Sequence, residues 1–258
     1  MRRGRREAIL ALATMLAALA ARPQRLNTAM HASACERLAT LAERIAKAHV
    51  QLAQGVIADR SRRVLRDSER EFDALLPIAS GLAGDPEIHD AFALLALLWK
   101  ELRAWARKPP TRENARQVSD RAEEVAWVAS KAARLLKTDG TSQREGLAAM
   151  QAATLAQRVG RMQLARRMGV PDARRDAELA DATAKLGSML AALARSPHTL
   201  ELEDDLRMAG TQYDFLLAAM REQAMGAGAS AAELVAKTAD YISDSMERAA
   251  RLYENGDA

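Results

Sequence analysis

The feature that most constrains this chain is an ungapped internal repeat with an offset of 114 residues. Thr40-Leu41-Ala42-Glu43-Arg44-Ile45 recurs as Thr154-Leu155-Ala156-Gln157-Arg158-Val159. The register holds through Gly55/Gly169, Val56/Val170, Arg60/Arg174, Leu65/Leu179, Asp67/Asp181 and Leu76/Leu190. A period this long exceeds a solenoid unit and suits a small domain that has been duplicated.

The residues inside each copy favour helix. Alanine and leucine are abundant, aromatics make up 3% of the chain, and runs of β-branched residues are absent. Leu38, Leu41, Ile45, Ala48 and Leu52 follow steps of three and four, which puts them on one stripe. The pattern predicts four helices per half: 27–54, 60–79, 87–108 and 112–137, then 143–168, 172–195, 200–222 and 230–254. Asp85-Pro86-Glu87 has the form of an N-cap followed by proline at the first helical position. Ser142 with Glu145, and Ser230 with Glu233, have capping-box spacing. Pro171 and Pro197 mark turns in the second half, and Asp139-Gly140-Thr141 marks the junction between halves. Short connections favour antiparallel neighbours, so each half is expected to be an up-down four-helix bundle.

The third helices test the duplication independently. Ile88, Phe92, Leu95, Trp99, Leu102 and Ala106 form one stripe. Adding 114 gives Leu202, Leu206, Ala209, Tyr213, Leu216 and Met220, with a large aromatic at the same fourth place. In the fourth helices Ala132-Ala133-Arg134-Leu135-Leu136 matches Ala249-Ala250-Arg251-Leu252-Tyr253 at an offset of 117. A three-residue length change therefore lies between helices three and four.

The first residues read differently. Met-Arg-Arg-Gly-Arg-Arg, the apolar stretch Ala8 to Ala21 and the small-x-small triplet Ala18-Leu19-Ala20 have the three parts of a secretory signal peptide. The apolar run is shorter than the roughly 20 residues that a membrane-spanning helix needs. The expected layout is a signal peptide at 1–20, a first four-helix unit at 25–138 and a second at 141–254, in an all-α, periplasmic protein. The leader carries four Arg and one Glu. The whole chain has 38 basic and 34 acidic residues, so the remainder is nearly neutral. A nucleic-acid partner loses its electrostatic support. Cys35, the single cysteine, has no internal disulfide partner, so packing must hold the fold.

The first helix of each half carries a family resemblance. The copies run from Cys35-Glu36-Arg37-Leu38 through Ala46-Lys47, and from Ala149-Met150-Gln151-Ala152 through Gly160-Arg161. They resemble the N-terminal domain of type IV pili methyl-accepting chemotaxis transducers (PilJ-type). They also resemble the periplasmic sensor of nitrate- and nitrite-responsive histidine kinases (NarX-like). The aromatic in helix three and the Leu-Tyr-Glu ending at 252–254 are similar to that family as well. The resemblance implies a helical sensor fold, a small anion as ligand and a membrane signalling protein as partner. It further implies that tandem copies set their first helices side by side, imitating the sensors' dimer within one chain.

Where those nitrate sensors contact the anion with an arginine, this chain has Ala39 and Ala153. The arginine two residues earlier is kept as Arg37, with Gln151 as its counterpart. The motif's last arginine is kept twice, as Arg44 and Arg158. The candidate ligand residues are therefore Arg37, Arg44, Gln157 and Arg158, since anion recognition uses a fixed guanidinium fork in a partly dry site. The alternative is that these arginines pair with nearby carboxylates such as Glu43, in a structural or interaction protein that has lost the ligand site.

Catalytic readings find little to stand on. His31, His49, His89 and His198 are scattered without metal-ligand spacing, and no Cys-x-x-Cys, nucleophile elbow or phosphate loop occurs. Haem would use Met or His ligands, but Met150, Met162, Met189 and Met220 read more simply as core filler. Trp99, Trp105 and Trp127 read as core or interface anchors, and the charged run from Arg60 to Arg70 as a solvated face. The sequence implies no metal, cofactor or enzymatic activity. No output segment is read after residue 254, so the expected mode of action is binding.

Overall fold

A computed structural model describes residue 28 and residues 30–82, 85–136, 141–168, 173–196, 199–225 and 228–255. The expected signal peptide, the turns at Pro171 and Pro197, and residues 139 and 140 of the junction lie outside the described residues. The chain is all-α, and among the described residues no strand occurs. The helices are α1 (30–53), α2 (Ala58–Ala79), α3 (Pro86–Ala106), α4 (Arg112–Leu135), α5 (Thr141–Arg166), α6 (Ala173–Leu193), α7 (Leu200–Ala224) and α8 (Ala229–Asn255). A 3-10 turn, Ser80–Leu82, follows α2. None of these helices is long and apolar enough to cross a membrane.

The helices fall within a few residues of the periodicity reading, and their ends show why. Asp85 caps α3, its carboxylate accepting from the backbone N–H of Glu87, with Pro86 at the first helical position. Thr111 caps α4 by accepting from Asn114 N–H. Ser142 and Ser230 differ from expectation, because α5 begins at Thr141 and α8 at Ala229, one residue before each serine. Between α1 and α2 the chain turns through Gly55 (φ 70°) and Ile57 (φ 40°). Glycine suits the first of these positions, whereas a β-branched residue in the second is strained.

Two cores form, one centred on each half, and Val50, Val56 and Ala115 of the first half join the second core. Leu38, Leu41, Ile45, Phe72, Leu95, Trp99, Leu102 and Val125 belong to the first. Leu164, Leu186, Leu202, Leu216, Val235, Ile242 and Tyr253 belong to the second. Both third-helix stripes face inward as their spacing requires. Ile88, Phe92, Leu95, Trp99, Leu102 and Ala106 are all buried, and so are Leu202, Leu206, Ala209 and Leu216. Cross-helix contacts fix direction. Glu101–Arg121 and Glu87–Lys131 set α3 antiparallel to α4, and Asp73 and Glu69 on α2 meet Arg103 on α3. In the second half α5 packs against α6 and α8, and α7 against α8 and α6.

The duplicated aromatic position shows how one fold tolerates two sequences. Trp99 stacks on Phe72 with centroids 3.9 Å apart and donates its indole N–H to Asp73 at 2.9 Å. In the second half Tyr213 takes the place of Trp99, and Gly187 takes that of Asp73. A Cβ on Gly187 would lie 2.6 Å from the tyrosine Oη. That hydroxyl instead donates to the Thr183 carbonyl at 2.9 Å.

Candidate functional site

The two halves meet along α1 and α5, the helices that carry the repeat motif. Thr40 Oγ1 lies 2.8 Å from Thr154 Oγ1, so repeat-equivalent residues touch each other. Gln151 on α5 donates to Glu36 on α1, and Arg161 on α5 donates to Glu43 on α1. Both helices therefore advance in the same direction. α8 runs antiparallel along α1, and α4 reaches α5 through Glu123. Ion pairs thus link each half's fourth helix to the other half's first, in a repeat-related way. Gly160 makes room for the crossing, because a Cβ there would come within 2.7 Å of Ala239 Cβ and 3.2 Å of Lys47 Cδ.

Charges line the seam in two repeat-related groups. In one, Arg161 donates to Glu43 at 2.6 Å and to Glu123 at 2.8 Å. In the other, Lys47 contacts Asp240 at 2.5 Å, and Gln157 and Arg60 add donors to the same carboxylate at 3.2 and 3.1 Å. Lys47 stands at the repeat position of Arg161, Gln157 at that of Glu43, and Asp240 at that of Glu123 with the 117-residue offset. Lys47 and Glu43 are fully buried and Arg161 is 4% exposed. Such charges persist in a low-dielectric interior only when paired. Burial pushes the Asp240 carboxyl up, but Lys47, and after it Arg44 and Arg60, outweigh burial and hold the group below its ordinary 3.8. Burial likewise raises Glu123, while Arg161, Arg158 and Arg175 together hold it below its ordinary 4.5.

The structure places all four candidate ligand residues at or beside this seam. Arg37 forks onto Glu71 at 2.7 and 3.0 Å and also contacts Glu247. Arg44 donates to Ser243, Asp244 and Glu247 at 3.2, 3.0 and 2.8 Å. Glu247 thus joins Arg37 and Arg44 into one network. Gln157 is buried on Asp240. Arg158 stands apart from the other three, half-exposed and 3.4 Å from Glu123. Arg44 does not pair with its sequence neighbour Glu43, which turns to Arg161 instead. Ala39 and Ala153 are buried.

A cleft of about 230 Å³ opens beside Arg37. Met30, Leu75 and Met150 give it apolar walls, and Arg37, Glu71 and Glu247 a charged side. Arg37 is already forked onto one of these carboxylates and touches the other, while Arg251 lines the cleft as a second guanidinium. Elsewhere His31 and His49 lie 3.1 and 3.3 Å from the backbone carbonyls of Ala79 and Lys108. Cys35 is buried, and burial, with Glu36 beside it, pushes its thiol up to about 12, so it is inert at neutral pH.

Sequence reasoning missed the partners: Glu36, Lys47, Glu71, Glu123, Arg161, Asp240 and Glu247. One signal was available, since the 117-residue offset of the fourth helices aligns Glu123 with Asp240, two acids where a duplicated core calls for none. Compared with protein-family models, with curated proteins and with solved structures, the chain finds no match, so the functional reading rests on this geometry.

Proposed function

We propose that this protein is a helical interaction module made of two sensor-like halves, whose seam is closed by its own ion pairs. It acts by docking to a partner, a membrane signalling protein being the class the first-helix motif implies, rather than by capturing free nitrate or nitrite. The observation that carries this reading is that Arg37, Arg44 and Arg158 each already face a carboxylate. An anion entering the seam would have to displace covalently tethered acids from buried or half-buried guanidinium groups. Two further features support the reading. The leader-like composition before residue 21 is compatible with an exported protein, and the outer helices leave large apolar side chains in solvent. Leu94, Leu97 and Trp127 are exposed on α3 and α4, and Met208, Phe215 and Tyr241 on α7 and α8.

Small-anion binding has one observation in its favour. The Nε atoms of Arg44 and Arg158 are buried without a hydrogen-bond partner. Thermal unfolding with millimolar nitrate, nitrite or chloride separates the readings. A ligand at 100 times its dissociation constant adds about 2.7 kcal/mol of stability. The closed seam predicts no anion-specific shift. A saturable stabilisation by nitrate or nitrite that disappears in Arg44→Ala would replace the interaction reading with a receptor.

A further inference from the structure

Most of the seam's buried charges are matched by an opposite charge, but one is not. Glu36 on α1 is fully buried. Its carboxylate accepts from Ser130 Oγ on α4 at 2.9 Å and from Gln151 Nε2 on α5 at 3.3 Å, both neutral donors. Arg134 on α4 and Lys185 on α6 act on it only from a distance, and on α1 its neighbour is the Cys35 thiol. The repeat shows that this is particular to one side. The position equivalent to Glu36 is Met150. The residues equivalent to Gln151, Ser130 and Lys185 are Arg37, Glu247 and Glu71, which pair with one another. One flank of the α1–α5 contact is thus ion-paired, and the other ends in a lone carboxyl group.

We propose that Glu36 is a pH-sensitive latch in the seam, seated between Ser130 and Gln151 when protonated and loosening α1 from α4 and α5 when ionised. The neutral acid donates a hydrogen bond from Oε2–H to Ser130 Oγ while Oε1 still accepts from Gln151. The ionised form leaves a full charge in a dry interface with two neutral hydrogen bonds. Burial raises the carboxyl above its ordinary 4.5, and the Ser130 and Gln151 hydrogen bonds, then Arg134 and Lys185, only partly offset it. A carboxyl raised in the folded state adds stability that is fully present below the unfolded pKa and is lost as pH rises through the folded one. The latch is closed on the acid side and releases as pH rises through the raised folded value. This rests on the reading of the seam as a closed joint.

The test compares the intact wild-type chain with Glu36→Gln, and with Glu36→Met, which copies the equivalent Met150. Amide hydrogen exchange of α1 and α5 and urea unfolding are followed from about pH 4 to about pH 8. Comparison at equal pH cancels intrinsic exchange and the titration of Asp240 and Glu123. The latch predicts equal protection of wild type and Glu36→Gln at the acid end. Above it a gap opens in favour of the variants, approaching tenfold in the opening constant per pH unit between the two pKa values. Parallel curves for wild type and both variants would overturn the latch while leaving the seam in place. Anion-specific stabilisation would overturn the closed-seam reading without changing this gap.

Discussion

Replacing Arg161 by alanine is expected to cost about 3–5 kcal/mol of unfolding free energy, the range for removing one partner of a buried ion pair. Arg161 is 4% exposed and spans the seam from α5 to Glu43 on α1 and Glu123 on α4. Its removal leaves Glu43, which is fully buried, without its cation. Glu123 suffers less, because Arg158 remains at 3.4 Å. The cost is therefore mainly that of a stranded carboxylate rather than of a lost attraction. Glu43→Leu/Arg161→Met removes both charges at similar volume and should recover most of the loss, as apolar replacement of buried pairs commonly does. Urea unfolding of Glu43→Leu, Arg161→Met and the double variant gives the coupling directly. A loss below about 1 kcal/mol for Arg161→Ala, typical of an exposed pair, would show that the seam is hydrated rather than dry.

Trp99→Ala should be comparably damaging, at about 3–5 kcal/mol, for a different reason. The indole stacks on Phe72 in the core of the first half, and its N–H is tied to Asp73. Truncation opens a cavity beside a rigid ring and removes a donor from a half-buried carboxylate. Asp73 keeps Arg103, so the stacking and volume carry most of the effect. Trp99→Phe preserves much of the stack and gives up the hydrogen bond, for about 1 kcal/mol. Equal losses for the two variants, again by urea unfolding, would contradict that division.

These two residues show what was legible in the sequence. Trp99 was visible because a core stripe has a period, and its counterpart Tyr213 was visible because the stripe is repeated. Helical spans follow from the same local rules, as with Asp85 and Pro86 at the start of α3. The seam was legible only in outline. The motif on α1 and α5 implied that the first helices adjoin, and Thr40 against Thr154 fits that implication. Which carboxylate would reach which arginine was hidden, because the pairing depends on helices far apart in the chain. Glu43 is adjacent to Arg44 in sequence, yet successive residues of a helix point about 100° apart. Glu43 consequently turns to Arg161, and Arg44 to Glu247 on α8, 203 residues away. Glu36 was hidden for a related reason. A glutamate beside a cysteine on an apolar stripe reads as an edge residue until α4 and α5 are seen to close over it.

The two repeats bring unequal charges to the seam. If the first half paired with another copy of itself, Glu43 would meet Lys47. If the second half did so, Arg161 would meet Gln157 and Asp240. The observed arrangement instead sets Glu43 against Arg161 and both Lys47 and Gln157 against Asp240.

The central claim is that α1 and α5 lie side by side within one chain, with repeat-equivalent residues in contact. Cysteines at Thr40 and Thr154, in a Cys35→Ala background, test it most directly. Their hydroxyl oxygens lie 2.8 Å apart, so thiols placed there fall within reach of a disulfide. The account predicts near-complete intrachain oxidation, read as loss of two free thiols in a monomeric species by mass spectrometry. Thiols that stay free under oxidation, or that link one chain to another, would contradict it.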